Sequence, residues 1–412
     1  MSPEHWKRNL YTIFVAELIV LMGFSFVTPF LPLYIQKVGN LDTGAAAFWS
    51  GIASSAAGIA MFLSSPVWGI MADRWGRKPM VLRAMFGGGI IITITGMVSS
   101  VPAIIALRFL QGLLSGTVAA ASALVASTTP RDKMPYAMGL LMVGVFAGNT
   151  VGPLIGGFIA DALGYSWAFY ITGATLFSGG LIVTFFVKEQ FSRPAAGNAA
   201  SLKSMVSLAR SKEILPLLVV TFALQAGPSI VSPVLALYIK ELGQGVGSTA
   251  TVAGTAFFFM GLVATVSSLV AGRVGQRVNL KTILVFSSFG TAILYLPPML
   301  AGNVTQLLIF VAAMALLKGG LITTSNTLVG LAAPPDQQGA AYGVNQSASS
   351  LGGALGPLLG GALAPLIGLK AVFGVTAGVY ALVGLMVAKV LSGVDPTKGP
   401  AGQPAGASGT KP

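Results

Sequence analysis

The chain contains no cysteine and a single histidine, and only 8% of its 412 residues are charged. Without cysteine, neither a disulfide nor a thiolate metal site can form, and we expect no metal site and no cofactor. The histidine, His5, lies near the N-terminus, and the sequence has no H-E-x-x-H, no Ser/His pairing and no G-x-x-x-x-G-K-[ST] pattern. These absences argue against an enzyme and against a nucleotide-driven pump.

The scarcity of charge also defines the class of protein. Soluble globular chains are about 25% charged, whereas this one is 54% hydrophobic with a mean hydropathy of +0.82. Its net charge of +13 does not indicate nucleic-acid binding, because the lysines and arginines are spread through the loops between apolar segments. The sequence therefore predicts an all-α integral membrane protein that is surrounded by the lipid bilayer.

Twelve apolar segments are long enough to cross a bilayer, which takes ~20 residues each. A polar linker, residues 188–213, separates residues 1–187 from residues 214–391, and each of these units contains six predicted spans. Residues 392–412 are rich in Gly, Pro, Ala and Lys, and we expect a disordered tail there. The first segment lacks a cleavage signal and is interpreted as a retained helix. The predicted spans are 10–36, 46–70, 79–99, 102–128, 134–160, 165–187, 214–240, 249–271, 280–300, 304–332, 338–365 and 370–391.

The two units repeat one another. V-T-P-F-L-P-L-Y-I-Q-K-V-G from Val27 matches V-S-P-V-L-A-L-Y-I-K-E-L-G from Val231, at an offset of 204 residues. G-P-L-I-G-G from Gly152 matches G-P-L-L-G-G from Gly356 at the same offset. Parallel repeats of this kind predict two six-helix bundles related by an axis along the membrane normal, with substrate bound between them near mid-membrane.

Loop charges predict the orientation. If the N-terminus is cytoplasmic, nineteen lysines and arginines lie in cytoplasmic segments, a count that places Arg83 in a loop. Only Lys37, Lys240 and Lys370 then lie outside. The positive-inside rule therefore predicts cytoplasmic termini and a cytoplasmic linker.

One charged run joins the second and third spans, G-I-M-A-D-R-W-G-R-K from Gly69 to Lys78. Charges at that density cannot lie in hydrocarbon, so the run is predicted to turn at a membrane face. Gly76 is expected to permit the turn and Gly69 to permit close helix packing. Without other information, the run would indicate only the cytoplasmic side.

This run resembles the signature loop between helices 2 and 3 of the major facilitator superfamily. L-R-F-L-Q-G from Leu107 is similar to the family's second motif, and G-N-T-V-G-P-L-I-G-G from Gly148 resembles the antiporter motif of its drug exporters. Symporters and facilitators of the family mostly lack the last motif. The opening W-K-R-N-L, the P-F-L-P-L-Y of the first span and N-Q-S at Asn345 further resemble proton-driven bacterial multidrug exporters. The resemblance extends over all twelve spans.

The resemblance implies a proton-coupled exporter of small lipophilic compounds in a bacterial cell membrane, working by alternating access as a monomer. An importer or facilitator of a small metabolite on the same fold is the alternative.

The resemblance also implies that Asp73 caps the N-terminus of the eleventh span and locks the outward-facing state, whereas a solvated loop that only sets topology is the competing interpretation. A carboxylate at a helix start contributes ~0.3–1 kcal/mol. Two departures are Ser127, where relatives often carry an acid, and Gly272, where the second-half copy lacks the aspartate. The predicted latch residues are Gly69, Asp73, Arg74, Gly76, Arg77 and Lys78.

Two charges within the first-half spans are candidates for proton coupling. Glu17 lies about eight residues beyond the start of the first span, and an intramembrane carboxylate that loses its water can exchange a proton near neutral pH. Arg108, in the second motif, is implicated in proton transfer by the resemblance, and a buried arginine can hold a nearby acid ionised. A snorkelling glutamate and an arginine that only fixes helix packing remain the alternatives.

The antiporter motif places small residues at four-residue spacing on the fifth span. Small residues allow a neighbouring helix to approach closely, and we expect the eighth span of the other unit to be that neighbour. Pro153 is expected to kink the helix. A tight, dry contact would limit leakage, although generic packing would look the same. The residues are Gly148, Gly152, Pro153, Gly156 and Gly157.

Polar and aromatic side chains within the spans are candidates for the substrate cavity, although each one alone is as compatible with helix packing. As a set they predict a large, sparsely charged cavity that suits lipophilic compounds better than sugars. Lys318, the only mid-span charge of the second half, has an open role. The candidates are Phe24, Tyr34, Gln111, Asn149, Gln225, Tyr238, Lys318, Asn326, Asn345 and Gln346.

Overall fold

The computed structural model describes residues 3–189, 207–211, 214–243, 248–274, 278–333 and 338–390. Within these ranges, twelve segments are helical, long enough and apolar enough to cross a membrane, and no strand is present. The predicted all-α architecture of twelve spans is therefore confirmed. The predicted tail and most of the predicted linker lie outside the described residues. The helices are α1 (Pro3–Val27), α2 (Leu31–Gly39), α3 (Thr43–Trp75), α4 (Arg77–Thr95), α5 (Val101–Leu114), α6 (Thr117–Thr128), α7 (Met134–Leu163), α8 (Tyr165–Phe186), α9 (Leu215–Leu242), α10 (Thr249–Val274), α11 (Leu280–Leu294), α12 (Val304–Met314), α13 (Lys318–Ala332), α14 (Gln338–Ile367) and α15 (Leu369–Val390).

Three of the predicted continuous spans are interrupted. The first is built from α1 and α2, which are separated by a turn that contains Pro29, a residue without a backbone donor. The fourth breaks between α5 and α6 at Ser115 and Gly116, and Gly116 has a φ of +111°, which favours glycine. The tenth breaks between α12 and α13. The fourth and tenth spans are counterparts in the two halves, so the repeat extends to their interruptions.

Two buried tyrosines anchor equivalent corners of the two halves. Tyr34 Oη donates hydrogen bonds to the carbonyl oxygens of Thr95 and Val98, at 3.0 and 3.1 Å. Tyr238, 204 residues later, bonds in the same way to two carbonyls that follow α11, at 3.0 and 3.3 Å. These contacts correct the cavity assignment of both tyrosines, because each hydroxyl is used for packing within its own half.

The two halves meet mainly through α3 against α14 and α7 against α10. We call the end of the molecule where α8 ends and α9 begins the linker end, and the opposite end, where α2 and α9 end, the far end. A Cβ added to Gly51 or Gly58, in the far-end part of α3, would collide with α14, at 2.8 Å from Ala354 Cβ in the case of Gly58. A Cβ at Gly69 or Gly139, toward the linker end, would have no atom within 4 Å. The halves therefore touch at the far end and separate toward the linker end.

The glycines of the fifth span face a different neighbour from the one predicted. A Cβ at Gly148 would lie 2.8 Å from the Met22 nitrogen of α1, and Cβ atoms at Gly152 and Gly156 would also collide with the α1 backbone. Only Gly157 faces α10. The prediction that all four glycines contact the eighth span is thus wrong for three of them, because the stripe packs α7 against α1 within one half. Pro153 lies inside the continuous helix α7.

A matched pair of substitutions in α7 tests this packing. Gly156→Ala forces a methyl group into the Phe26 backbone, and overpacking of this kind costs about 1–3 kcal/mol. Gly139→Ala meets open space and removes a flexible residue from a helix, which is neutral or stabilises by up to about 1 kcal/mol. We expect Gly156→Ala alone to lower the thermal unfolding midpoint in detergent. Equal midpoints for the two variants would contradict the contact.

Candidate functional site

A cavity of about 530 Å³ lies between the halves on the side of the linker end. α7 contributes Phe146, and the other walls come from α10, α13 and α14. None of its lining residues is charged, so the cavity suits apolar or weakly polar molecules of small size. The remaining lining residues are Ser268, Ile322, Thr323, Asn326, Thr327, Gly330, Leu331 and Tyr342.

A hydrogen-bonded chain of side chains supports the polar part of the cavity wall. Asn345, which is buried, donates from Nδ2 to Asn326 Oδ1 at 3.0 Å. Its own Oδ1 accepts from Thr221 at 2.7 Å, and the Thr221 hydroxyl also lies 3.1 Å from that of Ser325. The chain fixes the Asn326 amide at the cavity surface, while Asn345 itself lies behind the wall.

Asn326 is the only predicted cavity residue that lines this cavity. Gln111 is buried and accepts a hydrogen bond from Arg108, and Asn149 accepts one from Ser25 at 2.6 Å. Lys318, at the break in the tenth span, makes no hydrogen bond or salt bridge to a described residue. The other predicted residues do not line this cavity, and their assignment to the substrate cavity stays a prediction. The aromatic walls formed by Phe146 and Tyr342 were missed because nothing in their sequence context distinguishes them from packing residues. The predicted residues outside the wall are Phe24, Gln111, Asn149, Gln225, Lys318, Asn345 and Gln346.

Glu17 lies in the interior of the first half and is fully buried. Thr117, at the start of α6, lies beside its carboxyl group, but neither carboxyl oxygen has a partner at hydrogen-bonding geometry among the described residues. The buried position is not that of a side chain snorkelling to the interface. An acid without a cation partner in this environment is suited to carry a proton.

The two arginines within the first-half spans do not form a described salt bridge with Glu17. Arg108 Nη1 donates to Gln111 Oε1 of the same helix at 3.1 Å. Arg83 lies inside α4, which corrects its placement in a loop. Its guanidinium carbon lies 3.7 Å from the centroid of the Trp68 ring, and its Nη2 donates to the Ser115 carbonyl at the break between α5 and α6.

The signature loop is held to the end of the sixth span. Gly76 has a φ of +99°, which agrees with its predicted role in the turn. The backbone N–H groups of Arg77 and Lys78 donate to the two carboxylate oxygens of Glu189, at 2.9 and 2.8 Å. Lys78 Nζ in turn donates to the carbonyl of Thr184 in α8 at 2.8 Å, and to that of Val187, the residue after α8, at 2.7 Å. The start of α4 and the end of α8 therefore cap one another.

The remaining latch residues have mixed outcomes. Arg74 is exposed, and the close packing predicted at Gly69 is absent because its surroundings are open. The side chain of Asp73, the residues just before α14 and the side chains of its first turn are outside what the structure describes, so the contact between Asp73 and this helix start stays a prediction. Glu189 was missed, although an acid directly after a span in an otherwise basic segment is a recognisable signal.

Comparisons with known proteins agree with these features. The family model described as Major Facilitator Superfamily matches residues 13–248 and 217–411. The chain is 34% identical over 379 residues to the multidrug resistance protein MdtG of Escherichia coli strain UMN026, covering 92% of this chain and 93% of that one. It is also 34% identical to MdtG of Salmonella arizonae, over 92% and 94% of the two chains.

Solved structures share the fold at lower identity. The nucleoside transporter NupG superposes with a TM-score of 0.78 at 13% identity, covering 93% of this chain and 99% of that one. The family match and the bacterial relatives at 34% identity identify the chain as a transporter rather than an enzyme. The chain is a multi-pass membrane transporter that belongs to the major facilitator superfamily.

Proposed function

We propose that the protein exports small lipophilic compounds in exchange for protons, by alternating access. The observation that carries the proposal is the 34% identity, over 92% of the chain, to proteins named for multidrug resistance. The uncharged cavity with an aromatic and amide wall supports it, because lipophilic compounds need few polar contacts. The protein acts on these compounds as a monomer, with residues 1–187 and 214–391 as the moving units.

The linker end is the cytoplasmic end in this proposal. With Arg83 inside α4, twelve lysines and arginines among the described residues lie at the linker end, against three at the far end. The cavity then opens to the cytoplasm, and the far-end contact closes the outer side. The described conformation is therefore the inward-facing state of the cycle, ready to take up substrate from the cell.

Glu17 carries the proton in this mechanism. Its carboxyl group is fully buried and lacks a cation partner among the described residues, so a change in access to water changes whether it holds a proton. Arg108 lies in the same half and stays charged. We propose that Arg108 exchanges its Gln111 contact for the Glu17 carboxylate when the proton leaves.

Asp73 serves as the latch of the opposite state. We propose that it caps the start of α14 when the linker end closes. The contacts of Glu189 and Lys78 support this role, because they fix the loop rigidly to α8 and so limit where Asp73 can reach. With Ser127 at the position where relatives carry an acid, the latch relies on the helix dipole more than on a charge network.

An importer or facilitator of a small metabolite is the second candidate, since a nucleoside transporter shares the fold. Growth inhibition across a compound panel, in an efflux-deficient host expressing the chain, identifies a substrate. Transport of that compound under an imposed pH gradient then separates the two functions. An exporter driven by protons takes the compound into everted vesicles and releases protons, whereas a facilitator does not respond to the gradient.

Substitution of Glu17 tests the proton carrier. Glu17→Gln keeps the size of the side chain but cannot release a proton, so we expect proton-linked uptake into everted vesicles to fall to background. Asp132→Asn is the matched control, because Asp132 is an exposed acid whose described ion pair, with Lys133 at 3.2 Å, lies at the surface. If Glu17→Gln leaves proton-linked transport at the parent rate, the assignment is wrong.

Substitution of Asp73 tests the latch. Asp73→Asn removes the charge that stabilises the closed linker end, and we expect a lower transport rate with unchanged expression and membrane insertion. The effect corresponds to about two- to fivefold if the contact contributes ~0.3–1 kcal/mol. Rates are measured in everted vesicles at equal protein content. A rate equal to that of Asp132→Asn would favour the solvated-loop interpretation.

A further inference from the structure

Asp161 joins the two halves of the protein at the far end. It lies near the end of α7, in the first half, and its carboxylate accepts hydrogen bonds from the start of α10, in the second half. Oδ1 lies 3.2 Å from the Ala250 nitrogen and Oδ2 lies 2.6 Å from the Thr251 nitrogen. The first turn of a helix leaves its N–H groups without intrahelical partners, and a carboxylate satisfies them and complements the helix dipole.

This contact depends on the close approach of the two helices. A Cβ at Gly157 would collide with the Ala250 carbonyl, and one at Gly254 would collide with the Pro153 carbonyl. Asp161 follows Gly157 by one helical turn, so the glycine contact brings its short side chain within reach of α10. Because the two partners are on different halves, the hydrogen bonds can exist only while the far end is closed.

The contact has no counterpart in the other half of the repeat. The offset of 204 residues relates Asp161 to Pro365, which packs against Gly44 of α3 and has no side-chain acceptor. The start of α3 is instead capped by Asp42, whose Oδ1 accepts from the Ala45 nitrogen at 2.9 Å within the same half. The start of α10 is therefore capped by a residue of the other half, whereas the start of α3 is capped by a residue of its own half.

We propose that Asp161 is a positioning residue of the transport cycle, which holds the far end closed while the linker-end cavity is open. Opening of the far end breaks both hydrogen bonds, so Asp161 sets the balance between the two states. The inference rests on the proposed alternating access, but not on which compound or ion is carried. The far-end carboxylate and the predicted Asp73 contact at the linker end then stabilise opposite states.

Distances between spin labels test the proposal directly. The natural chain has no cysteine, so labels can be attached to introduced cysteines without removing any other thiol. Leu163→Cys with Leu366→Cys reports on the far end, and Ala126→Cys with Val274→Cys reports on the linker end; all four positions are exposed. The full chain is measured in lipid nanodiscs by pulsed electron paramagnetic resonance.

Asp161→Ala should raise the ratio of far-end-open to far-end-closed molecules by about two- to fivefold. The ratio of molecules with a short linker-end distance to molecules with a long one should rise by the same factor. Asp161→Asn keeps one acceptor oxygen and should give a smaller shift in the same direction, and it provides the test if Asp161→Ala does not fold. Asp42→Ala removes a cap of the same type within one half, and should leave both distance distributions unchanged.

Two outcomes would overturn the proposal. Unchanged distances in both Asp161 variants would show that the contact does not set the balance. An equal shift in Asp42→Ala would show that the loss of any helix cap at this end has the effect. Neither result bears on proton-coupled export, because the measurement uses no substrate and no pH gradient, whereas the vesicle assay of Glu17→Gln tests that function separately.

Discussion

Close backbone contact between the halves at the far end is the constraint on which the rest of the structure depends. In a bilayer, lipid competes with protein for apolar side chains, so helices associate mainly through packing, and small residues allow the tightest packing. Gly51 and Gly58 of α3 meet α14, and Gly157 and Gly254 bring α7 and α10 together. Since the same helices diverge toward the linker end, the cavity is a direct consequence of where the glycines are placed.

Interrupted helices supply the polar groups of the first half. The break at Ser115 and Gly116 frees a carbonyl that accepts a hydrogen bond from Arg83, and it brings Thr117 beside Glu17. A continuous helix would use that carbonyl internally and would offer the arginine no acceptor. Backbone irregularity inside a membrane protein is tolerated where neighbouring groups satisfy it. The break between α5 and α6 therefore accounts for the contacts of Arg83 and Thr117, and these side chains in turn stabilise the break.

Most of the architecture was predictable from the sequence, because hydropathy and the 204-residue repeat are properties of the chain alone. Which neighbouring helix packs against a given helix face, by contrast, depends on the whole fold and cannot be read from the chain alone. The glycine stripe of α7 defined a face, but it could not show that Gly148 would contact α1 and Gly157 would contact α10. Caps between distant segments, as at Glu189 and Asp161, were unpredictable for the same reason, since a helix start attracts any carboxylate that the fold brings near.

The site was predicted less well than the fold. Amides and aromatic residues within spans serve packing and substrate contact equally, so Asn345 and Asn326 could not be separated before their hydrogen bond was known. Glu17 could be selected because an acid in hydrocarbon is rare and expensive. Arg83 could not, because three cations precede it in a loop-like context and only the helix boundary places it inside.

A reversible disulfide across the far end tests most directly whether transport requires this contact to open. A Cβ at Gly44 would lie 3.1 Å from Pro365 Cβ, and a shift of a few tenths of an ångström gives the spacing of a disulfide, about 3.5–4.5 Å. In everted vesicles, the oxidised Gly44→Cys, Pro365→Cys protein should lose uptake of a lipophilic fluorescent dye, and reduction should restore it, while each single variant transports regardless of oxidation. Undiminished uptake by the fully oxidised double variant would contradict the account.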